Sequence, residues 1–343
     1  MVKTVDVVKE YVKEYLDRSR VFVLGSGFSA GANIPLTEEL VDMALNLMEQ
    51  EIPYIGEQVR SSYDIAVADT VESDSTSIIS KLCTLLEYNE LREHGGGERN
   101  FEGGSQEKLA LKFYLAKALS LRTPSPNEVP DLYVKFVQQL RKEDVVLSFN
   151  WDCLLEAALE KAGLAYSYEG YQDGHIFIDK MHGSTHWRLR QFKDLNKYSW
   201  QRIGFDTFED IPPLFASNDL RNPRVWHYQE LFGEIEPFLV LPGFGKAYDV
   251  RFIAPLWYKP EMAFSLRKNI FIIGLSLAPD DFFIRSFFLD NLPHVVGKIG
   301  GRLTVVNPDP NIERNFHFVG RSESTTFIPE PFSEKHVEAM AKS

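Results

Sequence analysis

Cysteine is nearly absent. Only Cys83 and Cys153 occur in 343 residues. Two thiols cannot build a four-cysteine zinc site within one chain, nor a disulfide framework. Such sparing use fits a reducing cytoplasm. Positive charge is also short, with 37 Lys and Arg against 49 Asp and Glu and a formal net charge of −12. That balance gives no electrostatic footing for direct nucleic-acid binding. No apolar run approaches the roughly 20 residues that a membrane-spanning helix needs, so no membrane contact is expected. The opening MVKTVDVVKEYVKEYLDRSR lacks the uninterrupted apolar core of a signal peptide. Its Val5, Val8, Tyr11, Val12, Tyr15 and Leu16 fall at helical spacing and predict an amphipathic helix. There are no internal repeats.

What is present is a series of short apolar runs of strand length. They are VFVL (21–24), VVLSF (145–149), HIFIDKM (175–181), FLVL (238–241), IFIIG (270–274) and LTVV (303–306). Several show little polar alternation, which is how strands covered on both faces read. Helical patterns at Asp152–Ala162 and Asp280–Leu289 lie between some of them. The alternation predicts an α/β fold, a Rossmann-like parallel sheet flanked by helices. From Leu36 to Arg141 no strong strand appears, and helical patterns cover Glu38–Glu51, Thr76–Glu93, Gln106–Leu121 and Asp131–Arg141. The expected organisation is therefore a Rossmann-like domain from residues 1–35 and 142–343, with an inserted helical module at 36–141. The glycine-rich HGGGERNFEGGS (94–105) reads as a surface loop, and the aromatic and proline-rich 188–236 as an irregular cover beside the site.

Five strand ends carry small or polar residues. Gly25-Ser26-Gly27-Phe28-Ser29 follows the first strand. A turn without bulky side chains lets backbone N–H groups approach a phosphate, though a plain strand-to-helix turn has the same composition. It departs from the G-x-G-x-x-G fingerprint, because position 30 is Ala30. SFNWD (148–152) places Asn150 and Asp152 at a strand–helix junction, where a helix cap and a ligand contact are both expected roles. KMHGSTHW (180–187) offers His182 as a general base, with Gly183 leaving room for a substrate. His186 follows four residues later, but Gly-Ser-Thr argues against the helix that an i,i+4 metal pair needs. IIGLS brings Gly274 and Ser276, and VVNP brings Asn307. Each has an ordinary structural explanation; together they would line one edge of a parallel sheet, which is where such sheets bind ligands.

The order of these motifs resembles the sirtuin-like superfamily, in particular bacterial sirtuin-like domains that consume NAD in phage defence. The correspondence runs from about residue 20 to 310 through GSGFSAGANIP, SFNWD, MHGSTHW, IIGLS and VVN. The resemblance implies that Gly25, Ser26, Gly27 and Ser29 sit around the NAD phosphates and ribose. It implies that Asn150 and Asp152 hold the nicotinamide ribose and pocket, and that His182 is the catalytic base. Gly274, Ser276 and Asn307 would face the adenosine side. The chain departs from the deacetylases in lacking zinc cysteines and the Asp-Phe-Arg after Ile34-Pro35, and in having Asn33 where they have Gly.

The resemblance implies an NAD+ hydrolase that cleaves the nicotinamide–ribose bond and acts as a defence effector, with NAD+ as substrate and no metal. Its regulation is expected through homo-oligomerisation or a partner, such as a HerA-type ATPase or an Argonaute-like protein. A nucleotide-binding module with little catalysis, an ADP-ribosyltransferase and a deacylase remain open alternatives.

Overall fold

The computed structural model describes residues 20–69, 76–94, 105–168, 172–189, 200–203, 214–217, 237–243, 257, 264, 268–278, 281–298, 300–319 and 323–343. The expected N-terminal amphipathic helix and the glycine-rich stretch lie outside them, apart from the ends of the latter.

Seven strands form a wholly parallel sheet in the order β11-β10-β9-β1-β2-β4-β3. They are β1 (Arg20–Leu24), β2 (Val145–Ser148), β3 (Ala165–Ser167), β4 (His175–Lys180), β9 (Asn269–Ile273), β10 (Arg302–Val306) and β11 (Thr325–Ile328). This is the expected Rossmann-like class. Alternate residues of β1 enter different cores. Phe22 and Leu24 pack into one cluster and Val21 and Val23 into the other, so the strand is buried on both faces. The register aligns the carboxyl ends: Leu24 pairs with Ser148 and Ile273, Ser148 with Lys180, and Ile273 with Val306. From β1 the chain proceeds to β2, β3 and β4 on one side, then returns to β9 on the other. The crevice at the end of β1 is therefore the topological switch point, where open α/β sheets bind ligands.

A four-stranded antiparallel sheet, ordered β6-β7-β5-β8, lies apart from the parallel one. It contains β5 (Gly183–Leu189), β6 (Trp200–Ile203), β7 (Leu214–Ser217) and β8 (Pro237–Leu239). This corrects two expectations. The FLVL run belongs to this sheet rather than to the parallel one, and parts of 188–236 are strand. Apolar composition alone does not tell a strand buried in a parallel sheet from one buried in a small antiparallel one.

Between β1 and β2 come α1 (Thr37–Glu51), α2 (Pro53–Ala68), α3 (Ile78–His94), α4 (Gln106–Arg122) and α5 (Asp131–Gln138). The sequence reading missed α2, whose Pro53 occupies the first turn, where the missing N–H costs nothing. Helix α4 is buried along most of its length and packs on α1 as well as on β5 and β8. The helices therefore share one continuous core with β1, the antiparallel sheet and α6 (Leu154–Lys161). The opposite face of the parallel sheet is covered by α7 (Phe282–Pro293). A final helix, α8 (Glu334–Ala341), packs on α5. At the amino-terminal edge, buried Arg20 pairs with Asp144 at 2.6 Å and donates to the Met340 carbonyl at 2.7 Å.

The glycines after β1 have a packing reason to exist. A Cβ on Gly25 would lie 2.5 Å from Leu275 Cα, and one on Gly27 would lie 2.9 Å from Gly274 Cα. Gly274 itself has φ of +67°, and its Cβ would meet Phe28 N at 2.1 Å. The turn after β1 and the turn after β9 thus touch backbone to backbone, joined by Gly27 N donating to Gly274 O at 2.9 Å. Gly274→Ala is expected to cost about 3 kcal/mol or more, because left-handed strain and steric overlap add. Gly163→Ala shares the positive φ of +69° but has open space around it, and should cost only about 1 kcal/mol. Urea midpoints of the two variants check this; equal losses would remove the close approach as the cause.

Candidate functional site

The site is built from the turns that leave the aligned strand ends. After β1, one helical turn spans Ser26–Ser29 and a 3-10 turn spans Ala30–Ala32, ending at Asn33 with φ of 58°. Asn is among the non-glycine residues that tolerate this left-handed conformation. Asn33 therefore does the conformational work of a glycine here.

After β2, Asn150 turns its amide back toward the first turn. Its Nδ2 donates to the Gly25 carbonyl at 2.9 Å and to Ser29 Oγ at 3.0 Å. The Ser29 hydroxyl also acts on the Asp152 carboxyl, favouring its charged form. Ser29 is buried. Asp152 Oδ1 also accepts from Leu154 N at 3.0 Å, so it helps to start α6, although the cap position itself is Cys153. The loop is pinned from behind by Thr185 N and Ser184 Oγ, which both donate to the Trp151 carbonyl, at 3.0 and 3.1 Å. Two groups are left over: among the described residues, the buried Asn150 Oδ1 and the neighbouring Trp151 Nε1 have no partner. A buried acceptor without a partner costs about 1–3 kcal/mol, a cost that a donor reaching Asn150 Oδ1 from the cleft would relieve.

His182 leaves the end of β4. Its ring meets Phe149 edge-on, with centroids 5.4 Å apart, and its Nε2 lies 3.7 Å from Asp281 Oδ2. The other Asp281 oxygen accepts from Ile284 N at 3.2 Å and caps α7. The approach of Asp281 to His182 was not legible in the sequence, because the two residues are 99 positions apart. Gly183 is a correction. Its φ is +75°, and a Cβ there would meet the Phe238 carbonyl oxygen at 2.2 Å. The glycine lets β5 pack on β8; it does not make room for a substrate.

Gly25, Ser26, Asn150, Asp152, His182 and Ser276 line one cleft of about 320 Å³. Asp281 shares it. Across from them the helical segment contributes Glu38, Leu40, Val41, Tyr63 and Ser80. Gly27, Ser29 and Gly274 do not line the cleft. Asn307 stands at the end of β10, where its Oδ1 accepts from Asp309 N at 3.0 Å, and it too is outside the cleft lining. His186 sits in β5, with Cys153 Sγ 2.9 Å from Nδ1 and Tyr168 Oη 3.1 Å from Nε2. Among the described residues, no group of three His, Cys, Asp or Glu side chains is placed to hold a metal ion, and no helix is long and apolar enough to cross a membrane.

Asn150, Asp152 and His182 are 6%, 6% and 8% exposed, so water screens little of any charge that Asp152 carries or meets. Burial pushes the Asp152 carboxyl above its usual range. The nearby Lys180 ammonium, the Leu154 N–H and Ser29 pull the other way. Tyr133, whose hydroxyl donates to the Phe28 carbonyl at 2.9 Å, is raised by burial and then by the Asp152 charge.

The chain matches no protein-family model and no curated protein. Among solved structures it is similar to sirtuins. One was solved to explain sirtuin substrate affinity, at 13% identity and a TM-score of 0.43, with 100% of this chain and 99% of that chain covered. Another is Sir2Tm bound to a propionylated peptide, at 15% identity and 0.40, with 97% of each covered. A third is a complex of a Sir2 homologue with NAD, at 13% and 0.40, with 97% and 94% covered. Likeness at this level assigns no role to any residue of this chain.

Asn150→Ala should fold. Gly25 O keeps its bond from Phe28 N at 2.9 Å, Asp152 keeps the Leu154 N–H, and the oxygen without a partner among the described residues disappears. The expected loss is about 1 kcal/mol in urea unfolding. A loss of several kcal/mol would make Asn150 a structural residue first.

Proposed function

We propose that this chain is a sirtuin-like NAD+ hydrolase, giving nicotinamide and ADP-ribose. The observation that carries the reading is the convergence of Asn150, Asp152 and His182 on one cleft at the switch point, beside Gly25 and Ser26. The order of motifs along the chain supports it. The cleft volume suits the nicotinamide riboside end of the dinucleotide. The adenosine end would run past Ser276 toward Asn307.

In this reading the C1′–N bond breaks and the electron pair leaves with nicotinamide. Water adds to C1′, and its proton passes to His182. Positive charge develops on the ribose as the bond breaks, and the buried carboxylate of Asp152 is suited to meet it. Asn150, held by Gly25 and Ser29, presents a fixed amide whose free oxygen is suited to a ribose hydroxyl or the attacking water. Asp281 faces the imidazole and would stabilise it once protonated. With two cysteines in the sequence, the four-cysteine zinc module of a deacetylase is not part of the proposal.

An enzyme that destroys NAD+ must be held off until needed. The proposal therefore includes a role as a bacterial anti-phage effector, switched by self-assembly or by a partner such as a HerA-type ATPase or an Argonaute-like protein.

The deciding experiment incubates NAD+ with purified wild type and His182→Ala, each alone and with the product of the neighbouring gene. Nicotinamide and ADP-ribose should form with wild type, and the variant should lose about 10²–10⁴-fold in rate with an unchanged melting curve. Turnover that survives in His182→Ala would remove the histidine from the mechanism. NAD+ binding without turnover in every condition would favour a binding module.

A further inference from the structure

Behind the cleft lies a closed ring of buried polar side chains that the mechanism above does not use. Lys180, at the end of β4, is wholly buried. Its ammonium donates to the Asp152 main-chain carbonyl and lies 3.2 Å from Glu156 Oε1 on α6. Glu156 Oε1 also accepts from the Tyr168 hydroxyl at 2.8 Å. Tyr168 reaches His186 at 3.1 Å, and His186 reaches Cys153 at 2.9 Å. Cys153 follows Asp152 in sequence, so the ring grips the 152–153 peptide from both sides.

Folding alone gives little reason for this arrangement. An apolar pair of the same volume avoids the desolvation that a buried Lys–Glu pair suffers, and such replacements are often neutral or stabilising. The ring is placed where it acts on the loop that bears Asn150 and Asp152. We propose that Lys180, held by Glu156, is a positioning residue for the reaction at the cleft: it fixes that loop and sets the electrostatic field at the Asp152 carboxyl. The inference rests on the hydrolase reading.

Among the described groups, Glu156 meets the Lys180 ammonium and the Tyr168 hydroxyl. Lys180 faces Glu156, Cys153 and Asp152. Burial, the largest influence, would lower the pKa of its ammonium, but those groups outweigh it and the pKa is raised. These groups favour the ammonium form of Lys180. Asp152 feels burial first, then Lys180, the Leu154 N–H and Ser29, and last Glu156; Tyr133 also senses its charge. Because Lys180 acts on Asp152 more strongly than Glu156 does, removing both charges together should raise the Asp152 midpoint further.

The test uses the full chain with Lys180→Met/Glu156→Gln, in which the glutamine keeps a partner for Tyr168. Two measurements are made beside wild type. The first is the carboxyl titration of Asp152 by ¹³C NMR, which needs no substrate. Its midpoint should rise by about one pH unit or more. The second is NAD+ cleavage, where kcat should fall about tenfold or more while KM stays within about threefold. A folded variant with unchanged midpoint and unchanged kcat overturns the proposal, and so does an equal loss in kcat and in stability without a change of midpoint. If the variant does not fold, wild type decides. A ¹⁵N signal showing Lys180 charged and unexchanged across the active pH range supports the proposal, and a neutral amine overturns it. Absence of NAD+ cleavage by wild type sinks the hydrolase reading alone, because the titration still reports whether Lys180 governs Asp152.

Discussion

The structure depends on a backbone contact between two turns. Gly25 and Gly27 after β1 press against Gly274 and Leu275 after β9, too closely for any side chain to intervene. That contact closes the floor of the switch point and keeps the ends of β1 and β9 level. The Asn150 amide then bridges from β2 to the same turn through Gly25 and Ser29. Three strand ends are in this way locked into one surface before any ligand is considered. The stability comes from the two apolar cores above and below the sheet, but the shape of the cleft comes from the turns.

Polar residues at this edge carry two duties at once. Asp281 caps α7 with one oxygen and faces His182 with the other. Asp152 starts α6 and also borders the cleft. Ser29 looks like a phosphate ligand in the sequence, yet it lies buried and accepts from the Asn150 amide. A helix cap is a fixed, low-entropy anchor, so a side chain that caps is already held still for chemistry. This explains why the motifs are short and why each, taken alone, reads as an ordinary turn.

The helical segment after β1 completes the cleft from the far side. Its α4 is buried in a core shared with the antiparallel sheet, so Glu38, Tyr63 and Ser80 face the strand ends from a scaffold continuous with them. Adjacent to this wall, the ring from Lys180 to Cys153 stiffens the loop between β2 and α6 from beneath. The cleft is thereby supported from its floor, its wall and its back.

Although the equally apolar FLVL joins an antiparallel sheet, so that the pairing was left to the fold, the sequence by itself determined that Val21–Leu24, Val145–Leu147 and Ile270–Ile273 are strands covered on both faces, since they are apolar at every position. It also determined which residues stand at the strand ends, because the change from β-branched runs to Gly, Asn and His is local. Only the tertiary structure decided what those residues face. The glycines serve a close approach between turns 250 residues apart, and Gly183 serves β8 rather than a ligand. Lys180 and Glu156 were hidden for the same reason. A lysine in HIFIDKM and a glutamate in LLEAALEK look like solvated charges until the fold buries them against each other. Periodicity is encoded between near neighbours, whereas partnership between distant side chains exists only once the chain has closed on itself.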